Sequence, residues 1–188
     1  MKLPIVAYGD PVLKKKGVDI DENYPELRAL IDNMFETMYT ANGVGLAAPQ
    51  VGLSIRLFVV DATPFADEEP SLETFKKAFI NPVIVEESGN EWKFNEGCLS
   101  IPDIREDVSR KERIKITYYD ENWNYHEDTF DGLGARVIQH EYDHIEGKLF
   151  TDRISTLRKT MLKSKLDTIT KGNIKVSYKM KFPNRKKK

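Results

Sequence analysis

Five residues, His140-Glu141-Tyr142-Asp143-His144, constrain this chain more than any others. Two histidines four apart meet on one face only if the backbone is helical, where their rings lie one turn apart and converge on one ion. The glutamate beside the first histidine is turned toward the same point and suits a general base. The chain has three histidines in all, and this pattern uses two of them. The bland alternative is an amphipathic helix with a satisfied histidine pair. A catalytic metal takes three protein ligands and leaves one position open. The residue six past His144 is Phe150, so no third histidine follows at the spacing of one metalloprotease class. Glu146 and Asp152 lie too near, and Asp167 stands among basic residues. Upstream the candidates are Cys98 and His126. Cys98, in a turn-like stretch between Gly97 and Pro102, is the better of the two; His126 sits between Tyr125 and Glu127 in an expected exposed hairpin.

At 188 residues the chain suits one domain with a proper core. A lone cysteine excludes a disulfide framework and suits a reducing compartment. No apolar run reaches membrane-spanning length, and Met1 to Asp10 does not read as a secretory signal, so a cytoplasmic location is expected. The net charge of −1 hides an asymmetry: from Arg153 onward 13 Lys and Arg face one acid, Asp167, while the first 152 residues carry 16 basic and 29 acidic groups. A basic tail on an acidic body fits a polyanionic partner or a merely solvated tail. Accordingly residues 1–152 are expected to be the catalytic domain, and 153–188 a basic helix and tail, either part of that domain or partly flexible.

Helical spacing of Leu27, Leu30, Ile31, Met34, Phe35 and Met38 predicts a helix that opens near Pro25 and ends at Asn42-Gly43. Leu53 to Val60 and Phe79 to Val85 read as strands, with Pro82 at an edge or bulge, and Ala62 to Lys77 as an exposed loop carrying a helical turn. Lys111 to Tyr119 alternates as a half-exposed strand, with Trp123 to Phe130 as its hairpin partner. Gly132 to Glu146 is the motif helix, stopped at Gly147. Ile154, Leu157, Met161, Leu162, Leu166 and Ile169 mark a last amphipathic helix, and Ile174 to Phe182 alternates as a strand with one basic face.

Three stretches resemble the motifs of peptide deformylases, in order: Gly43-Val44-Gly45-Leu46-Ala47-Ala48-Pro49-Gln50, Glu96-Gly97-Cys98-Leu99-Ser100, and Gln139-His140-Glu141-Tyr142-Asp143-His144. Tyr8 to Leu13 is similar to the family's N-terminal region, so the resemblance spans residues 1 to about 150. It implies an α+β fold, with antiparallel or mixed β-sheets around a central helix carrying the histidines and an additional C-terminal helix. It also implies a metal-dependent hydrolase that removes the formyl group from the N-terminal methionine of new bacterial polypeptides and releases formate. The implied metal ligands are Cys98, His140 and His144 with water as the fourth. Fe(II) is the implied native metal, with nickel, cobalt or zinc able to substitute; a thiolate with two imidazoles is compatible with Fe(II) or Zn(II).

By the same resemblance Glu141 is the general base, and Gln50 and the Leu99 backbone N–H hold the developing oxyanion. Gly43 to Gly45 take the peptide backbone as an added strand, with Glu96 and Gly97 among the substrate-binding residues. Val44, Phe94, Leu133 and Val137 line the methionine pocket. Arg136 stands where the family often has an apolar residue, facing solvent or the pocket mouth. Formyl-methionyl nascent peptides are the expected partners, with the ribosome a further one through the basic C-terminal region; no DNA or membrane partner is expected, and a monomer is. Removing residues after Gly172 is then expected to weaken ribosome binding and spare small-peptide turnover. Two other readings stay open. A zinc endopeptidase would use the same pentad but needs a third ligand not well placed here. A structural metal domain on ribosomal RNA would close its site with a fourth ligand, for which His126 is the strong spare.

Overall fold

The computed structural model describes residues 1–183; Asn184 to Lys188, with the last basic residues of the tail, lie outside them. Seven strands and three helices follow in the order β1 (Ile5–Val6), α1 (Leu27–Thr40), β2 (Gly45–Ala47), β3 (Leu57–Asp61), β4 (Lys76–Cys98), β5 (Ile101–Tyr119), β6 (Tyr125–Asp131), α2 (Gly132–Ile145), α3 (Thr156–Thr170) and β7 (Met180–Lys181). Five strands form one antiparallel sheet in the order β2-β3-β4-β5-β6, and β1 pairs in parallel with β7. The fold is α+β. No helix among the described residues is long and apolar enough to cross a membrane.

β3 explains where the core lies. Successive side chains of a strand point to opposite faces, yet all five residues of β3 are buried. Phe58 and Val60 pack with Phe79, Ile116, Tyr118 and the α2 residues Val137 and Ile138. Leu57 and Val59 pack on the other face against Ile31, Met34 and Met38 of α1. α2 is therefore enclosed, and its buried residues include the polar Arg136, Gln139, Glu141, Asp143 and His144. Each of these needs a partner or a function. The first turn of α2 is capped from another part of the chain: the Leu133 N–H donates to Glu69 Oε2 at 2.9 Å. Its end follows the sequence, with Gly147 at φ +72° just beyond.

Several boundaries differ from the sequence reading. The strand expected from Leu53 starts at Leu57, because Ile55 is used in an isolated parallel bridge to Val18. The loop from Ala62 to Lys77 has its helical turn, in fact two short 3-10 turns, but it is not wholly exposed: Leu72 and Phe75 are buried under α2 beside Leu133. The strand expected from Phe79 to Val85 lies within a 23-residue strand that starts at Lys76 and whose register shifts between Ile80 and Val83, at Pro82. The hairpin across Asp120 to Asn122 forms, with Tyr119 opposite Tyr125. In α3 Leu162, Leu166 and Ile169 are buried, whereas Leu157 and Met161 are 70% and 61% exposed. Of the alternating stretch after Ile174 only Met180–Lys181 is a strand, since the β1 edge it pairs with is two residues long.

Candidate metal and hydrolase site

β4 ends at Cys98, and the Leu99-Ser100 turn leads into β5, so the thiol stands at the tip of a long hairpin. That tip meets the histidine face of α2. The Cys98 Sγ lies 3.4 Å from His144 Nε2, and the ligand atoms of Cys98, His140 and His144 all fall within 4.8 Å of one another. Donors bound tetrahedrally at 2.0–2.3 Å stand roughly 3.5 Å apart, so modest closure of the trio suits a transition metal. Nδ1 of His140 lies 2.9 Å from Glu96 Oε2, leaving Nε2 free for an ion. The donor set fits. No fourth His, Cys or carboxylate joins this group among the described residues. His126 is elsewhere, 2.8 Å from Asp120 Oδ2 and stacked on Tyr118.

Gln50 is oriented by its own backbone neighbourhood. Its Oε1 accepts from the Ala47 N–H at 2.9 Å, which turns the amide nitrogen toward Cys98 Sγ at 3.4 Å and Ser100 Oγ at 3.3 Å. Glu141 is buried, and its Oε2 has no hydrogen-bond partner. Burial pushes its pKa up to about 7, against the pull of His140. Its carboxylate lies directly on Gly45: a Cβ at that position would sit 2.7 Å from Glu141 Cδ and 2.8 Å from Cγ. Only glycine leaves β2 this close to the carboxylate.

A network absent from the sequence reading supports Glu96. Arg110 donates to it through Nε at 2.7 Å and Nη2 at 3.0 Å, and Arg136 through Nη1 at 3.1 Å. Burial alone would raise the Glu96 pKa, but hydrogen bonds from His140 and Arg110 hold it well below the carboxylate range. Arg110 also reaches Asp143 Oδ2 at 2.8 Å, and Asp143 takes two further bonds from Arg153. A cue was present. From Ile104 to Arg110 every second residue is buried, which puts Glu106 and Arg110 on the same face as Ile104 and Val108.

Of the two placements expected for Arg136, solvent and the pocket, the structure has the second. It is 1% exposed, donates to the carbonyls of Val108 and Trp92, and lies over the Trp92 ring. It borders, with Val44, Phe94 and Val137, a cavity of about 740 Å³. Gly43, Gly45, Gln50, Glu96, Gly97 and Leu99 border it too, as do Cys98, His140 and Glu141. Leu133 does not; it packs in the core with Leu72 and Phe75. Sequence reasoning also missed Lys175 to Tyr178, which the fold brings to the same cavity.

Comparison with known proteins gives the family. The polypeptide deformylase family model matches residues 2–160. A peptide deformylase of Christiangramia forsetii is 62% identical, covering 100% of this chain and 99% of its own. One from Flavobacterium johnsoniae is 59% identical, with the same coverage. The crystal structure of a peptide deformylase from Legionella pneumophila superposes with a TM-score of 0.81 at 38% identity, covering 92% of this chain and 98% of that one.

Proposed function

The chain belongs to the polypeptide deformylase family, and we propose that its site removes the N-formyl group from formyl-methionyl nascent peptides with Cys98, His140 and His144 as the metal ligands. The family is a metal-dependent hydrolase family. The observation that carries the reading is the convergence of these three donors beside a buried Glu141 whose Oε2 has no partner, next to a cavity that Cys98, His140 and Glu141 border. Fe(II) is the proposed native ion, with nickel, cobalt or zinc as substitutes. When bound, such an ion supplies Lewis acidity and a water of lowered pKa.

The chain's own residues then divide the work. Glu141 takes a proton from the attacking water as its oxygen bonds to the formyl carbon, and returns that proton to the departing amine as the C–N bond breaks. Formate and a free amino terminus result. The Gln50 amide and the Leu99 N–H donate to the oxyanion as it develops. Glu96, held by two arginines, fixes the His140 ring. Gly43 to Gly45 stand where an extended peptide can add to the free edge of β2. Val44, Phe94 and Val137 enclose the methionine side chain, with the Arg136 stem as a further wall and Leu133 supporting from the core.

The test is formate release from a formyl-methionyl peptide by protein prepared without oxygen and assayed for metal. Turnover lost to a chelator and regained with Fe(II) or Ni(II) is expected. One equivalent of bound metal with no formate released would overturn the reading.

Residues 1–152 are proposed as the catalytic body, working as a monomer in the cytoplasm, with the basic helix and tail of 153–188 as part of the same domain and the surface that meets the ribosome. In support, Lys159 and Lys163 of α3, four residues apart and so on one side of the helix, are exposed, a basic pair suited to RNA phosphates. Lys159→Glu with Lys163→Glu should reduce co-sedimentation with ribosomes in low salt; unchanged co-sedimentation would sink the idea.

A further inference from the structure

The segment after Gly172 is built into the site. Lys175, Val176, Ser177 and Tyr178 border the same cavity as Cys98 and Glu141. The Tyr178 hydroxyl donates to the Leu99 carbonyl at 2.7 Å. One residue on, the Ser100 carbonyl accepts from the Tyr8 backbone N–H at 2.8 Å. These two tethers come from opposite ends of the chain, and the ends are themselves joined. β1 pairs with β7, with the Ile5 N–H donating to Lys179 O and the Ala7 N–H to Lys181 O, both at 2.9 Å. The turn that follows the metal-binding thiol is thus held from its C-terminal side by a clamp of both termini. From its N-terminal side it is held by β4.

We propose that Tyr178 is a positioning residue for the deformylation step: by fixing the Leu99 carbonyl it sets the conformation at Leu99, and with it the aim of the Leu99 N–H. The proposal rests on the reading of that N–H as an oxyanion donor. The Leu99 side chain lies against Gly43, its Cδ1 2.8 Å from where a Cβ on that glycine would be, so a shift at Leu99 is also felt at the proposed peptide-binding edge. An oxyanion exists only as the reaction proceeds, so loosening its donor lowers kcat and leaves KM nearly untouched. This makes the strap part of the enzyme. Removal of everything after Gly172 would take away a cavity wall, so that truncation does not isolate ribosome binding from turnover.

The experiment uses the full chain, loaded with Ni(II), as wild type and Tyr178→Phe, which keeps the ring and removes only the hydroxyl. Two quantities are read: steady-state turnover of a formyl-methionyl peptide, and hydrogen exchange of the amides in residues 98–101. Expected are a kcat lower by about tenfold with KM within about twofold, and exchange in that turn faster by about tenfold. Either quantity staying at its wild-type value overturns the proposal, as does a loss carried by KM alone. If the wild-type protein releases no formate, the deformylase reading fails by itself, and the proposed role of Tyr178 falls with it. The exchange measurement still reports whether the clamp exists.

Discussion

Gly45→Ala is the sharpest perturbation the structure offers. The added Cβ would fall 2.7 Å from Glu141 Cδ and 2.8 Å from Cγ, whereas carbon atoms pack at about 3.5–4.0 Å. The carboxylate must therefore retreat by roughly 1 Å, a misplacement that typically costs on the order of 100-fold in rate. That corresponds to about 2.7 kcal/mol of transition-state stabilisation. Gly45 does not have a positive φ, so alanine strains no backbone there, and the overpacking itself should cost about 1–3 kcal/mol of stability. The assay is kcat for formate release at saturating peptide, beside metal content and thermal unfolding. A folded, metal-loaded Gly45→Ala enzyme should be down about 100-fold. The effect must also vanish once the base is gone: in a Glu141→Ala background, itself slower by orders of magnitude, Gly45→Ala should change kcat little. Wild-type turnover in the single variant, or full additivity in the double, would refute the placement of Glu141 as the base.

Other perturbations follow from the same contacts. Arg110→Met removes the buried cation shared by Glu96 and Asp143, leaving Glu96 to Arg136 and His140 and Asp143 to Arg153, and should cost about 3–5 kcal/mol by denaturant unfolding; a loss under 1 kcal/mol would contradict the network. Leu162→Ala should cost about 2–5 kcal/mol, while Leu157→Ala, at a 70% exposed position, should stay within about 0.5 kcal/mol; equal effects would mean that α3 is packed on another face. Burial raises the Asp61 pKa, but hydrogen bonds from Thr63 and Tyr39 bring it below its ordinary value. A folded pKa below the unfolded one gives stability present above about pH 4 and lost as pH falls through the folded value. The stability gap between wild type and Asp61→Asn should therefore be constant from pH 6 to 8 and close on acidification; a gap that widens would refute it.

Much of this protein was legible in its sequence because the relevant signals are local. The histidine spacing requires a helix, Gly147 ends it, and Asp120 to Asn122 close a hairpin. The apolar stripe of α1 faces the core as its period demands. Longer-range matters were less legible. β3 reads as a plain apolar run and does not say that one face meets α1 and the other α2. Arg136 carries a charge, and charge usually means surface; what buries it is a set of carbonyls and a carboxylate from β4 and β5, 28 to 44 positions away in the chain.

The sequence by itself determined the chemistry: a thiol, two imidazoles and a carboxylate in the motifs of one family, on elements whose local periodicity is strong. Only the tertiary structure decided what holds that chemistry in place. Hydrophobic burial is non-directional, so a periodic pattern tells which face turns inward but not which face it meets. The partners of Glu96, the closeness of Gly45 to Glu141, and the return of Tyr178 to Leu99 across 79 positions depend on three-dimensional packing of distant segments. No local signal in the chain records them.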